Sequence, residues 1–477
     1  MLPFVAAPFR VGEELELTVD SLAAGGRGVA RHDGVVVFVD RALPGDRVMA
    51  RIQKVKRRHG EAIAFERLAG GPDRIEAPCP HFGVCGGCRW QDLRYERQLE
   101  HKQQQVVDAL QRIAMLPDAP IEPIVPAVRE YAYRNKLEYA WTRTDDGPAL
   151  GFHRAGRWED IVPVQVCLLT GERGNAVRDA FVAWARSQGL QAYTQRENSG
   201  YLRHLVVREG VRTGELLCIL VTVAGDVPGV EELQALLAEQ APGVVGVLHA
   251  VNDGAADVAS GIPTRPLFGR AWFEEEISGL RLRVSAGSFL QTNTEMADVL
   301  YQDAIAQAGL TGGEIVWDLY CGTGSIGLAL AGSARRVIGI EIVEEAIERA
   351  RENALANGVA NIQFHVADAG KAPRDLIAEG LPAPDVVVLD PPRAGMTPKA
   401  ARRVAELGAK RIVYVSCNPT TLAGNAPILA EGGYKLTRLR PFDLFPHTPH
   451  VECVAVFDRD PDFKPASSAA PAAPAGS

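Results

Sequence analysis

Ile315-Val316-Trp317-Asp318-Leu319-Tyr320-Cys321-Gly322-Thr323-Gly324-Ser325-Ile326-Gly327-Leu328 is the stretch on which the fold of this 477-residue chain turns. Its first five residues are a largely apolar, β-rich run, so they read as a buried strand. The glycines that follow allow a tight turn in which the backbone passes close to a ligand, and a helix begins after them. The same alternation continues downstream. Arg336 to Ile340 reads as a strand ending in Glu341, 17 residues beyond Gly324, and a helix follows at 343–357. Ile362 to Val366 is a strand leading to Asp368. Asp385 to Leu389 is another, ending in Asp390-Pro391-Pro392-Arg393-Ala394-Gly395. Strand alternating with helix predicts a parallel sheet, which binds ligands outside the carboxyl ends of its strands. Gly-x-Gly alone is a weak signal, and Gly322, Gly324 and Gly327 formally match a dinucleotide-binding turn.

The next strand carries the first candidate for chemistry. In Arg411-Ile412-Val413-Tyr414-Val415-Ser416-Cys417-Asn418-Pro419 the run 412–415 is a buried strand that Asn-Pro cannot continue. Cys417 is thereby presented on a loop at the ligand-binding edge, where a cysteine of lowered pKa would be a nucleophile. Free cysteine is more often a packing residue. Further on, Val451 to Phe457 reads as a strand. Glu452 and Cys453 must then face opposite ways. A strand carboxylate ordinarily faces solvent, and Cys453 reads as core.

Size and composition set the bounds. A chain of this length holds about two to four domains. With 47% hydrophobic and 23% charged residues the composition is that of an ordinary soluble protein. No apolar run reaches transmembrane length, and the N-terminus lacks a basic segment followed by an apolar core, so a cytoplasmic protein is expected. The net charge of −8 argues weakly against a nucleic-acid partner. That argument fails where cations cluster, as they do here.

Residues 8–70 read as a small β-barrel, with strand-like runs at Leu15 to Val19, Val35 to Asp40 and Arg47 to Val55 separated by Gly25-Gly26, Asp33-Gly34 and Pro44-Gly45. The last of these runs carries Arg47, Arg51, Lys54, Lys56, Arg57 and Arg58 without an intervening acid. Such a charge run is ordinarily a solvated face, but on a small barrel it suits single-stranded nucleic acid. A cysteine set follows: Cys79, Cys85 and Cys88 in C-x5-C-x2-C spacing, with Cys167 as the candidate fourth ligand. Away from oxidising compartments this spacing points to metal before disulfide. Four soft ligands suit a tetrahedral zinc or an iron–sulfur cluster, and spacing alone does not separate them.

Residues 92–115 form a helix. The segment 121–283 alternates strands with one or two helices, and Cys218 falls in its core. Tyr133-Arg134-Asn135-Lys136 and Leu202 to Val206 place basic and polar groups within strands. They would meet phosphates on an exposed sheet face, or be an ordinary half-solvated sheet. Residues 464–477 are a low-complexity tail expected to be disordered.

Several of these pieces resemble known families. Gly25-Gly26-Arg27-Gly28-Val29-Ala30-Arg31 makes the first module similar to the TRAM domain, an OB-like RNA-binding module. Asp318 with the glycine turn resembles motif I of class I methyltransferases, which use S-adenosylmethionine, and Asp390-Pro391-Pro392 resembles the opening of their catalytic loop. The cysteine spacing resembles the 4Fe–4S motif of the TRAM-containing RNA uridine-5-methyltransferases, which favours the cluster over zinc. Together with Ser416-Cys417-Asn418-Pro419 and the run Asp443-Leu444-Phe445-Pro446-His447-Thr448-Pro449-His450-Val451-Glu452, these motifs make the chain up to about 460 similar to the RNA 5-methyluridine methyltransferases, nearest to their iron–sulfur, 23S ribosomal RNA type.

That resemblance implies a multidomain α/β architecture. It comprises an OB-like barrel at 8–70, a central α+β RNA and iron–sulfur domain at 75–282, and a class I methyltransferase (Rossmann-like) domain at 283–460. It implies Cys417 as nucleophile and Glu452 as proton acceptor. Gln291, Tyr320, Ser325, Glu341, Asp368 and Asp390 are expected around S-adenosylmethionine, with Cys79, Cys85, Cys88 and Cys167 holding the cluster. Ser325 stands where asparagine is common. The chemistry is coherent: C5 of uracil is a poor nucleophile until a thiolate adds at C6, and a base must then remove the C5 proton. A 5-methylcytidine enzyme would carry a second cysteine near Asp390, and an amino-methyltransferase an aromatic residue at position 393. Here position 393 is arginine. Transfer RNA is the alternative substrate, and a non-catalytic, cluster-bearing RNA-binding protein the alternative class. No membrane and no obligate protein partner are expected.

Overall fold

The computed structural model describes residues 8–463 apart from 255, 260 and 372, so the tail expected at 464–477 lies outside the described residues. The chain folds into two compact units. One runs to Gln105 and takes in Ile124–Leu300 and Phe442–Val451; the other contains Val106–Pro123, Tyr301–Pro441 and the chain from Glu452.

The first unit opens with a closed barrel of β1 (Glu14–Leu22), β2 (Gly28–His32), β3 (Val35–Asp40), β4 (Arg47–Val55) and β5 (His59–Ala69), in the order β1-β2-β3-β5-β4. Along β1 acids alternate with Leu15, Leu17 and Val19, which point into the barrel. The basic strand is β4. Its Arg47 and Arg51 pair with Glu16 and Glu14 on β1, acids that lie across the sheet rather than along the run. Asp46 is fully buried, accepts from Leu43 N and Gly71 N, and pairs with Arg74 at 2.6 Å, joining the barrel to the segment that follows.

Helix α1 (Tyr95–Arg112) comes next, then a seven-stranded sheet. Its strands are β6 (Lys136–Thr144), β7 (Gly147–Arg154), β8 (Arg157–Pro163), β9 (Leu202–Glu209), β10 (Leu216–Thr222), β11 (Val244–Val251) and β12 (Thr264–Gly269), ordered β12-β11-β10-β9-β6-β7-β8. Helices α2 (Glu172–Ser187) and α3 (Val230–Gln240) pack Phe181, Trp184, Leu233 and Leu237 into its core. A hairpin follows, β13 (Trp272–Ile277) with β14 (Leu280–Ser285). Strand β9 is buried along its whole length, so the phosphate-facing alternative for Leu202 to Val206 is overturned. Arg203 donates from Nη1 to the carbonyls of Asn252 and Gly254, at 2.6 and 2.7 Å, and from Nη2 to that of Ala256 at 3.1 Å, while its buried Nε has no hydrogen-bond partner. Cys218 is fully buried, as expected.

The second unit is a three-layer α/β fold. Helix α4 (Thr294–Ala308) leads into β15 (Ile315–Leu319), α5 (Ser325–Ala331), β16 (Arg336–Glu341), α6 (Glu344–Ala356), β17 (Ile362–Val366), α7 (Pro373–Ala378) and β18 (Val386–Leu389). Then come α8 (Pro398–Glu406), β19 (Arg411–Ser416), α9 (Pro419–Glu431), β20 (Tyr434–Phe442) and β21 (Glu452–Arg459). The sheet order is β17-β16-β15-β18-β19-β21-β20. Its first five strands are parallel and β21 is antiparallel to β19. The crossovers reverse direction between β15 and β18, which opens a crevice at the carboxyl ends of those strands. Arg438 on β20 pairs with both Glu122 and Asp303, at 2.7 and 2.8 Å. Among the described residues no helix is long and apolar enough to cross a membrane.

Candidate active site

Two strand ends and one strand start meet at one edge of the second unit. Strand β19 ends at Ser416, and its register with β21 runs from Arg411 opposite Asp458 to Ser416 opposite Cys453. One step further sets Cys417 across from Glu452. Residues directly opposite on antiparallel strands share a face, with Cβ atoms about 5 Å apart. Cys417 is half-buried, whereas Glu452 is 2% exposed and its Oε2 has no hydrogen-bond partner. The ordinary expectation of a solvent-facing carboxylate therefore fails here, because helices cover both faces of this sheet. Cys453, on the other face, is fully buried.

The loops around this pair are cross-braced. Asn418 Oδ1 caps α9 by accepting from Thr420 N at 3.0 Å, Pro419 fills the first helical position, and Asn418 Nδ2 donates to the Arg393 carbonyl. Asn425, nearly two turns into α9, accepts from Met396 N and the Tyr414 hydroxyl and donates to the Met396 carbonyl. It thus fixes the loop after Asp390 to the strand bearing Cys417. Burial pushes the Cys417 thiol up to about 11; Glu452 and Asp390 push the same way and Arg393 opposes them. Burial, reinforced by Asp390, likewise raises Glu452 to about 8.

Beside this pair, the carboxyl ends of β15 to β18 carry Tyr320, Glu341, Asp368 and Asp390. Tyr320 adopts the left-handed conformation (φ 63°) and Gly324 follows with φ 83°. A Cβ on Gly324 would press on Phe364 and Ala350, so the turn needs glycine there. Glu341 holds the turn by accepting from Gly322 N at 3.2 Å, and its other oxygen accepts from Ile342 N and Val343 N. Ile342 and Val343 themselves are exposed, an apolar shelf beside a carboxylate. Ser325 donates to the Tyr301 hydroxyl at 3.2 Å. Asp368, paired with Lys371, sits below its ordinary pKa. Asp318 lies beneath the turn, fully buried, and burial raises it to about 8. Gln291 is the remaining expected cofactor residue. It belongs to the first unit, where it is buried and its carbonyl accepts from Asn135 Nδ2.

In the first unit, Cys79, Cys85, Cys88 and Cys167 line one cavity of about 60 Å³. Gly86 N donates to the His153 carbonyl, and a Cβ at Gly86 would stand 2.8 Å from that oxygen, so the loop can lie on the sheet only with glycine. Gly87 N and Gln91 Nε2 donate to the sulfurs of Cys85 and Cys88, at 3.4 and 3.1 Å. Burial raises the thiols of Cys85 and Cys167, and that of Cys88 to about 12. Among the described residues no three His, Cys, Asp or Glu side chains close on one point as a single metal ion requires. The four cysteines share the lining of that cavity, and four soft donors are the set that a zinc ion or an iron–sulfur cluster takes.

A sequence model of the family described as tRNA (Uracil-5-)-methyltransferase matches residues 276–460, and one of the TRAM domain matches residues 8–65. The chain is 38% identical over 452 residues to an uncharacterized RNA methyltransferase of Halalkalibacterium halodurans, covering 95% of this chain and 98% of that one. A counterpart in Nitratidesulfovibrio vulgaris is 39% identical over 463 residues, covering 94% and 96%. The crystal structure of Pyrococcus abyssi tRNA (uracil-54, C5)-methyltransferase in complex with S-adenosyl-L-homocysteine superposes with a TM-score of 0.75 at 28% identity, over 93% of this chain and all of that one. The chain belongs to the RNA uracil-C5 methyltransferase family.

This methyltransferase is S-adenosylmethionine-dependent and acts on RNA, with a TRAM barrel, a central domain and a Rossmann-like methyltransferase domain. Sequence reasoning about it missed three features. Asn425 sits in an otherwise apolar helix, and that anomaly was its only signal. The partner of Ser325, Tyr301, lies on a helix whose sequence reads merely as amphipathic. Arg134, a candidate phosphate contact by its strand pattern, lines the cysteine cavity instead.

Proposed function

We propose that this methyltransferase methylates C5 of a specific uridine in RNA, 23S ribosomal RNA by preference, through a covalent Cys417–C6 intermediate, with Glu452 as the base. What supports this reading is that Cys417 and Glu452 lie one step beyond the Ser416–Cys453 pair, close enough for Glu452 to act on the thiol, and that Glu452 has a buried carboxylate oxygen without a hydrogen-bond partner. Half-buried Cys417 gives its proton to water and adds as thiolate to C6, which makes C5 an enolate carbon. Bound S-adenosylmethionine supplies an electrophilic methyl group to that carbon. The Glu452 carboxylate then removes the C5 proton, and the re-forming 5,6 double bond expels the Cys417 sulfur. Burial suits Glu452 to this task, since a carboxylate raised to about 8 is a stronger base than one in water. Asp390 and Arg393 flank the pair and orient the uracil edge.

Tyr320, Ser325, Glu341, Asp368 and Asp390 hold the methyl donor. Glu341 takes the ribose hydroxyls and the Ile342-Val343 shelf takes the adenine face. Cys79, Cys85, Cys88 and Cys167 hold a 4Fe–4S cluster, with zinc as the runner-up. The cluster is structural, because methyl transfer from a sulfonium moves no net electrons through the protein. The barrel at 8–70 and the central region at 75–282 grip RNA flanking the target, offsetting the cost of unstacking it. The site of action is the cytoplasm.

A second reading is transfer RNA. It is favoured by the tRNA designation of the matching family and by the Pyrococcus abyssi enzyme's own substrate. One experiment covers both. Anaerobically purified enzyme is incubated with 5-fluorouridine-substituted total RNA and labelled S-adenosylmethionine. Fluorine cannot leave as a proton, so a stable protein–RNA adduct is expected, absent in Cys417→Ala, and sequencing the trapped RNA names the substrate. Methyl transfer to ordinary RNA without an adduct would overturn the covalent mechanism.

A further inference from the structure

We propose that Arg134 is the counter-cation of the four-cysteine centre, its guanidinium facing the cavity and donating N–H to the sulfurs of the anionic group held there. The proposal rests on the iron–sulfur reading of that centre. Backbone geometry puts Arg134 in place. Ala132 N donates to the Leu168 carbonyl at 2.8 Å and Arg134 N to the Leu169 carbonyl at 2.7 Å, so this segment lies alongside the residues that follow Cys167. Its side chain lines the cavity with all four cysteines. The side chain of Arg134 hydrogen-bonds that of Tyr133, a neutral partner; its guanidinium Nε is buried without a hydrogen-bond partner, and among the described residues no carboxylate forms an ion pair with Arg134. A buried cation lacking a carboxylate needs another anion. Metal binding deprotonates the cysteines, and the thiolates are then the anions within reach.

The charges agree. A cluster bound by four thiolates carries net negative charge, and hydrogen bonds and nearby cations set its potential. A cation here stabilises the reduced form, which is the more negative one, and holds the cluster in place. Gly87 N and Gln91 Nε2 supply neutral donors to the same sulfurs; Arg134 adds the charge.

The test compares anaerobically purified wild type with Arg134→Met and Arg134→Lys. It measures iron and acid-labile sulfide per chain, reduction potential by spectroelectrochemical titration, and bleaching of the visible absorbance in air. The expected result is a more negative potential and several-fold faster bleaching in Arg134→Met, with Arg134→Lys nearer wild type. Wild-type potential, loading and bleaching rate in Arg134→Met would overturn the proposal. Should Arg134→Met fail to load, normal loading of Arg134→Lys supports it. Equal failure of Arg134→Lys alongside normal loading of Arg134→Gln overturns it. Zinc in place of iron in the wild type would refute the cluster reading while leaving Arg134 testable, since Arg134→Met should then release zinc faster to a thiol reagent. A wild type with neither metal refutes both.

Discussion

In the resting enzyme Cys417 is a thiol and much of Glu452 is protonated at neutral pH, both for the same reason: burial disfavours their charged forms. Release of the methylated product from the covalent adduct should therefore rise with pH through about 8 as Glu452 ionises, while methyl transfer follows the Cys417 thiolate fraction to higher pH; stopped-time assays of both steps across pH 6 to 10 check this. Cys417→Ala should lower transfer by roughly 10⁴-fold or more. Glu452→Gln should transfer one methyl group and then stall, visible as a methylated protein–RNA adduct on a denaturing gel. The burial that raises Glu452 also makes stability depend on pH. Because the folded Glu452 pKa is raised above its unfolded value, its contribution is full below about pH 4.5 and is lost as pH rises toward 8. Glu452→Gln should flatten that loss, so its melting temperature should exceed that of wild type at pH 8 and match it near pH 4.5.

Elements were legible where their pattern was local. Strands β15 to β19 announce themselves as apolar β-branched runs, and their carboxyl ends can be named from the residues that stop them. Helix α9 was not legible, because Pro419 reads as a stop to the strand when it is also the first residue of a helix. The burial of Glu452 was hidden for a related reason: a carboxylate at a strand start looks solvent-facing until the strand proves to lie inside a sheet covered on both faces. Strand β9 suggests phosphate contacts because it carries Arg203 and His204 among apolar residues, yet carbonyls from the loop at 252–254 take up the Arg203 charge. The register that pairs Cys417 with Glu452 depends on antiparallel insertion of β21, which no local pattern encodes. Asn425→Ala tests how much that frame needs its brace. Orphaning Met396 N and the Tyr414 hydroxyl should cost about 1–3 kcal/mol by denaturant melts and lower kcat more than RNA affinity.

At the scale of the whole molecule, each unit has its own tie. In the first, Lys102 and Asp443 form an ion pair at 2.5 Å with both side chains fully buried, and Lys102 also donates to the Phe445 carbonyl. Lys102→Met leaves Asp443 charged and buried, and should destabilise the first unit by about 3–5 kcal/mol in equilibrium unfolding. On the barrel, Lys54, Lys56, Arg57 and Arg58 are exposed. Reversing two of them should weaken RNA binding uniformly across sequences and flatten its salt dependence by about one unit of slope per lost phosphate contact. Strand β21 carries a further consequence. It is the final strand of the sheet in chain order, yet it lies between β19 and β20 rather than at an edge. During synthesis Cys417 and β20 leave the ribosome first, and β20 waits without a neighbour until Glu452 to Arg459 slide in beside it. A nascent chain stalled before residue 452 thus has an open sheet and, on the proposed mechanism, a nucleophile without its base. On the proposed mechanism, the strand that completes the sheet also delivers the group that ends the reaction.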